Sequence, residues 1–271
     1  MQATGRAVCV AMLPLVLTSI AGCGTWQTVE RRVTVAFPPA GAAPLGVRSS
    51  NGSIAVSSGD GDQIVVNATI KARTRERADA TQIVASLSPE GVYLIEARWP
   101  TPRAGNEGCS FDVATPPVSG VVLDTSNGGV TLSGLSGMAR LDTSNGAIVV
   151  KGFAGEITAD TSNGAISIFD ATARVAADTS NGPIRVEMAS ASAGPVRLDT
   201  SNGSIDLVVG SGFAGNLTAS TSNGSVSILA PGASAVQAGK RSGSATFGVG
   251  GEPSTLSTSN GSVTVRSREW P

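Results

Sequence analysis

Histidine is absent from this 271-residue chain, aromatic residues make up 4% of it, charged residues 14%, and there are three cysteines. Without histidine there is no imidazole to act as a general base or to ligate a metal, and no Cys/His spacing suits zinc. No glycine-rich loop precedes a helix in the pattern that cradles phosphate. The formal net charge is −1, and no run of Lys or Arg offers a surface to nucleic acid or anionic lipid. The cysteines cannot build a disulfide framework. Cys9 falls in the leader described below and Cys23 at its lipidation site, which leaves Cys109 as an unpaired thiol in a Gly-rich loop, with no base to activate it.

Gly is abundant, at 34 residues, and hydrophobic residues reach 41%. A core of small and β-branched side chains suits closely spaced strands and tight turns. The chain is long enough for one large domain or two ordinary ones.

Residues 1–22 read as an export signal, with Arg6 as its positive end and an apolar stretch from Ala7 to Ile20 that is too short for a permanent span. The segment "SIAGC", Ser19 to Cys23, resembles the lipobox of bacterial lipoproteins. That resemblance implies cleavage before Cys23, lipidation (palmitate) of Cys23, and a short tether over 23–30. Gly24 follows where inner-membrane retention would call for Asp, so the resemblance implies the outer membrane in an organism that has one.

The rest of the chain is repetitive. Asn-Gly recurs at Asn127, Asn145, Asn163, Asn181, Asn202, Asn223 and Asn260, with spacings of 18, 18, 18, 21, 21 and 37. The long gap is split by "KRSGSATF", where Ser242 stands in the Asn position. Apolar residues recur six and four before Asn (Ile157, Ala159) and three and five after it (Ile166, Ile168), so each unit alternates with period two on both sides of a corner.

This predicts an all-β fold, a parallel β-solenoid (β-helix) of roughly 18–21-residue coils over 118–271. An N-terminal β region over 31–117 is contiguous with it and caps it. An antiparallel β-meander is the alternative, because Asn-Gly between alternating runs is also a hairpin signal. The solenoid is preferred because only stacking coil on coil demands constant loop lengths. On this reading Asn and Gly stand at each corner because they tolerate a left-handed backbone. Upstream, "VRSSNGSIAV" around Asn51 is a further unit, "TRERADATQ" a charged connection or short helix, and Ile83 to Trp99 a hairpin turning at Ser88 to Gly91.

Quoted together, "LGVRSSNGSIAVSSGDGDQIVV" and the repeated "DTSNGxI" resemble the bacterial candidate-adhesin domain of β-strand repeats, over about Val33 to Val265. The resemblance implies a β-repeat architecture and surface location; that family has no assigned biochemical activity and offers no catalytic residue to carry over.

Three before Asn stand Asp124, Asp142, Asp160, Asp178 and Asp199, then Ser220 and Ser257. In a solenoid these form a row of carboxylates. It is either a solvated outer row hydrogen-bonded to nearby hydroxyls and amides, or a Ca²⁺ ladder, since hard cations want several oxygen ligands. The Gly-rich nonapeptide of calcium-binding β-rolls is missing, and "GDGDQ" at 59–63 lacks the terminal Glu of a calcium loop. The Thr column, Thr125 to Thr258, points inward and reads as structural. The expectation is a noncatalytic cell-envelope lipoprotein that presents a repeated polar face for binding or scaffolding. It needs no cofactor and binds no nucleic acid; its partners are the membrane, through lipid, and an envelope protein or glycan. The alternatives are a purely structural envelope protein or a β-helical polysaccharide-active enzyme.

Overall fold

The computed structural model describes residues 28–100 and 104–268, so the leader and Cys23 lie outside the described residues. The arms before and after each Asn-Gly corner go to different sheets. Arms ending in Asn, such as Ala154–Asn163, pair in parallel in one sheet, called here the corner sheet; arms that follow, such as Ile166–Ala171, pair in parallel in the second. Parallel pairing between successive coils settles the architecture as a β-solenoid and removes the meander. The 18-residue spacing is the length of one such circuit.

Period-two alternation places Ile157, Ala159, Ile166 and Ile168 between the sheets, all essentially inaccessible, and the same holds in the neighbouring coils. Each such side chain contributes about 1.5–3 kcal/mol of burial against the entropy of ordering. At the second corner, Leu135, Phe153 and Phe213 are buried as well and close the far end of the sandwich.

The beginning of the stack follows the sequence. Leu45–Asn51 and Ile54–Ser58 form a full coil on which Gly120–Asn127 and Val130–Ser133 stack in register. Between them, the chain makes an excursion that covers the end. Ile64–Ala72 pairs antiparallel with both Val29–Phe37 and Gly108–Thr115, and the predicted hairpin forms as Gln82–Leu87 and Tyr93–Arg98. "TRERADATQ" contains the helix Arg75–Ala80, capped by Thr74, whose hydroxyl accepts from the Arg77 N–H (3.3 Å). The Arg31 guanidinium donates to the Ala78 and Thr81 carbonyls (3.0 and 3.2 Å), pinning the helix beside the edge strand. Cys109 stands in the strand Gly108–Thr115 rather than in a loop; it is buried, and burial pushes its thiol up to about 12.

The other end departs from sequence order. Ser254–Asn260, the last arm before a corner, lies between Val196–Asn202 and Gly215–Asn223, and Val263–Ser267 lies likewise between Ile205–Val209 and Val226–Leu229. The final coil is therefore interposed, not terminal. Ser254 reads both neighbours: its buried hydroxyl accepts from the Val196 N–H (3.1 Å), and its carbonyl accepts from the Thr218 hydroxyl (3.4 Å).

The degenerate coil expected at Ser242 is not a coil. Ser242–Phe247 runs antiparallel to Gly215–Asn223 and forms a hairpin with Ala233–Ala238. The apolar mass explains the difference. Val236, which the repeat would place inside, is exposed, whereas Phe247 is buried edge-on against Phe213, with ring centres 5.3 Å apart. Just past Val263–Ser267, the Arg268 guanidinium donates to Asp170 (2.8 Å).

Candidate functional site

The Asn side chains form one continuous ladder. In the spatial order Asn51, Asn127, Asn145, Asn163, Asn181, Asn202, Asn260, Asn223, each amide from Asn127 onward donates to the side-chain oxygen of the one before it, at 2.7–3.1 Å. Beneath it each Thr hydroxyl donates to a corner glycine carbonyl of the adjacent coil, as Thr161 does to Gly146 (3.1 Å). The inward, structural reading of the Thr column therefore matches the geometry.

Most of the corner glycines, though not Gly52 and Gly261, serve a purpose other than the one the sequence suggests. Neither the corner asparagines nor Gly146, Gly164, Gly182 and Gly203 adopt a left-handed backbone. A Cβ on Gly164 would instead collide with the Gly146 carbonyl, and one on Gly182 with that of Gly164. Coil-on-coil approach is what requires glycine here.

At the first rung Asn51 donates to the carbonyls of Gly105 and Glu107 (2.9 and 3.0 Å). The Glu107 side chain is fully buried and accepts from Arg77 Nε and Nη2 (2.6 and 2.7 Å) and from the Ala104 N–H (2.8 Å). The Arg77 guanidinium foremost, helped by the backbone N–H groups of Ala104 and Arg73, holds its carboxyl down at about 2. The ladder thus starts from a fixed loop.

The outward positions of the corner sheet make the candidate site. The register places one residue beside the next as Glu96, Arg48, Asp124, Asp142, Asp160, Asp178, Asp199, Ser257, Ser220 and Ser242. At about 4.8 Å per strand this row spans about 43 Å. All five predicted aspartates are brought together in it, and the Asn ladder runs parallel to it at the corner. Arg48 approaches Asp124 (3.4 Å). Asp160 is shifted above the ordinary carboxylate range, by partial burial first and then by Asp142 and Asp178 on either side, against the pull of Arg140. Asp178 moves the same way, through desolvation and then Asp199. Among the described residues no three acidic, Cys or His side chains form a group suited to a metal ion.

A concavity lies at each end of the row. One, of about 450 Å³, is open and lined by Thr218, Ser220, Gln237, Ser242 and Ser244 between the last coil arm and the terminal hairpin. The other, of about 120 Å³, lies beside Arg48 and Glu96.

Residues 109–266 match the model of the family described as Toastrack DUF4097. The chain belongs to the Toastrack family. The matched stretch runs from Cys109 through the interposed coil, so the Toastrack repeats include all five aspartates of the row. No curated protein is significantly similar to this Toastrack chain. Similar solved structures include a candidate cell adhesion protein from Clostridium sporogenes (12% identity, 89% of this chain and 100% of that one, TM-score 0.35). A candidate adhesin from Bacteroides fragilis is 12% identical over 88% of this chain and 97% of its own (TM-score 0.42). A candidate lipid-binding protein from Parabacteroides distasonis is 10% identical over 88% and 97% (TM-score 0.33).

Sequence reasoning found the Toastrack columns but missed both concavities and the Arg77–Glu107 pair. One signal was available: aligned on Asn51, Arg48 occupies the Asp position and is the one basic residue in the row.

Proposed function

We propose that this chain is an exported, lipid-anchored, noncatalytic scaffold that uses the outer face of its corner sheet to bind an extended polymer of the cell envelope. The observation that carries this reading is the ten-residue polar row, held in register beside the Asn ladder. Such a row offers many equal weak contacts at fixed spacing, so affinity accumulates with length of contact. Repetition also argues against catalysis. An acid–base pair needs two groups whose environments push their pKa values apart, and Asp160 and Asp178 are shifted in the same direction.

The anchor rests on "SIAGC" and Cys23. The full chain and Cys23→Ser, expressed in a bacterial host, are to be compared by fractionation and intact mass. Wild type should carry acyl mass on a chain beginning at Cys23 and follow the membrane, while Cys23→Ser retains its leader and bears no lipid. Unlipidated wild type, or lipid on the serine variant, would contradict the anchor.

A further inference from the structure

The smaller concavity is built differently from the repeats. Tyr93–Arg98 pairs with Leu45–Asn51 only from Leu45 to Arg48, and beyond Glu96 the two strands part. The cavity between them is walled by Trp99, floored in part by buried Phe111, and rimmed by Arg48, Glu96, Ser50 and Asn51. Trp99 is the one tryptophan among the described residues, half-buried against the core.

Asn51 is engaged by the loop and the ladder, and Ser49 by the Cys109 carbonyl, but three other groups around this cavity are largely uncommitted. Among the described residues the Trp99 indole N–H and the Glu96 carboxylate have no hydrogen-bond or ion-pair partner, and Arg48 touches only Asp124, through Nε. On the opposite sheet, by contrast, Arg185, Arg266 and Arg268 are each bonded to a carboxylate. An aromatic plane with one donor, a guanidinium, a carboxylate and a hydroxyl therefore converge on about 120 Å³, well below the few hundred Å³ of a drug-sized pocket.

Charge and polarity narrow the occupant. An anion would meet Glu96 and Asp124, and a bare cation would meet Arg48. A wholly apolar ligand would desolvate Glu96 and Arg48 without pairing them. A neutral ring with a C–H face and hydroxyls around its edge fits the lining: the face lies on the indole, and the hydroxyls both donate to Glu96 and accept from Arg48.

We infer that the Trp99 cavity is a subsite for one pyranose ring of a neutral glycan, whose further sugars continue along the polar row of the corner sheet. This rests on the binding role proposed above and adds a ligand class and a point of attachment to it.

The test uses the full chain with Trp26 and Trp270 replaced by Phe, so that Trp99 is the sole indole. Its fluorescence is titrated with maltotriose, cellotriose, chitotriose and mannotriose, and with a Phe-containing tripeptide. At least one trisaccharide should give a saturable change, at least tenfold weaker in Glu96→Gln. Calorimetry with that sugar should show binding kept within about fivefold in Trp99→Phe and weakened at least tenfold in Trp99→Ala. Glu96→Gln alters only a cavity-rim side chain, so it decides the matter if Trp99→Ala fails to fold. Silence with all four sugars, a response to the tripeptide alone, or undiminished binding by Glu96→Gln would overturn the subsite. If Trp99→Ala still binds envelope polysaccharide and neutralising the aspartates abolishes that binding, the subsite falls and the wider role stands.

Discussion

Glu107 and Asp160 show how placement gives one functional group opposite roles. Glu107 is buried under the Arg77 guanidinium, and its folded-state pKa of about 2 lies below the ordinary 4.5. Its contribution is therefore present above pH 4.5 and lost as pH falls through about 2. Asp160 lies between like charges, and its folded-state pKa is raised above 3.8. Its ionisation costs stability near neutrality, and the cost disappears as acidification protonates it. Glu107→Gln should lower stability at pH 7 by about 2 kcal/mol, the loss of charge-assisted hydrogen bonds to a buried group, with the deficit shrinking towards pH 2. Asp160→Asn should raise it by less than about 1 kcal/mol, given its partial exposure, with the gain vanishing below pH 3.8. Urea unfolding of both variants across this pH range checks the signs. An Asp160→Asn advantage that grows on acidification would show that the row does not repel itself.

At the scale of the element, the coil is the unit, and its columns were legible in the sequence. Burial of Ile157, Ala159, Ile166 and Ile168, the inward Thr161 and the corner Asn163 all follow from period-two alternation and an 18-residue spacing. The order of the coils was not legible, because every coil shows the same columns to its neighbour and a stack in sequence order would match them equally well. What breaks the tie is local: Phe247 packing on Phe213, and Ser254 bonding on both sides. The Trp99 cavity was hidden for a related reason, since its walls come from three stretches around residues 48–51, 96–99 and 108–111 that only the fold brings together. Interposition predicts a pattern of cross-links. Ser201 and Ser259 stand on adjacent strands, and so do Ser259 and Ser222, whereas Ser201 and Ser222 are two strands apart, about 10 Å. Cysteine pairs at 201/259 and at 222/259 should therefore close under mild oxidation, while 201/222 stays reduced. Closure of 201/222 would show that the coils stack in sequence order.

For the molecule as a whole, the two outer faces differ in how their charges are spent. On the second sheet, Glu187, Asp206 and Asp170 are each held by arginine, from Arg185, Arg266 and Arg268. On the corner sheet, the aspartates stand beside one another, and only Asp124 has a basic neighbour in the row, Arg48. A paired face is electrostatically satisfied, and an unpaired row is available to a partner. The most direct measurement compares the two faces at equal change in charge: binding of the full chain to polysaccharide isolated from the envelope, with three carboxylates neutralised on one face or on the other. Asp142→Asn, Asp160→Asn and Asp178→Asn together should weaken binding at least tenfold, while Asp170→Asn, Glu187→Gln and Asp206→Asn together leave it within twofold of wild type. Equal effects from the two triple variants, or no binding to weaken, would contradict the corner sheet as the working face.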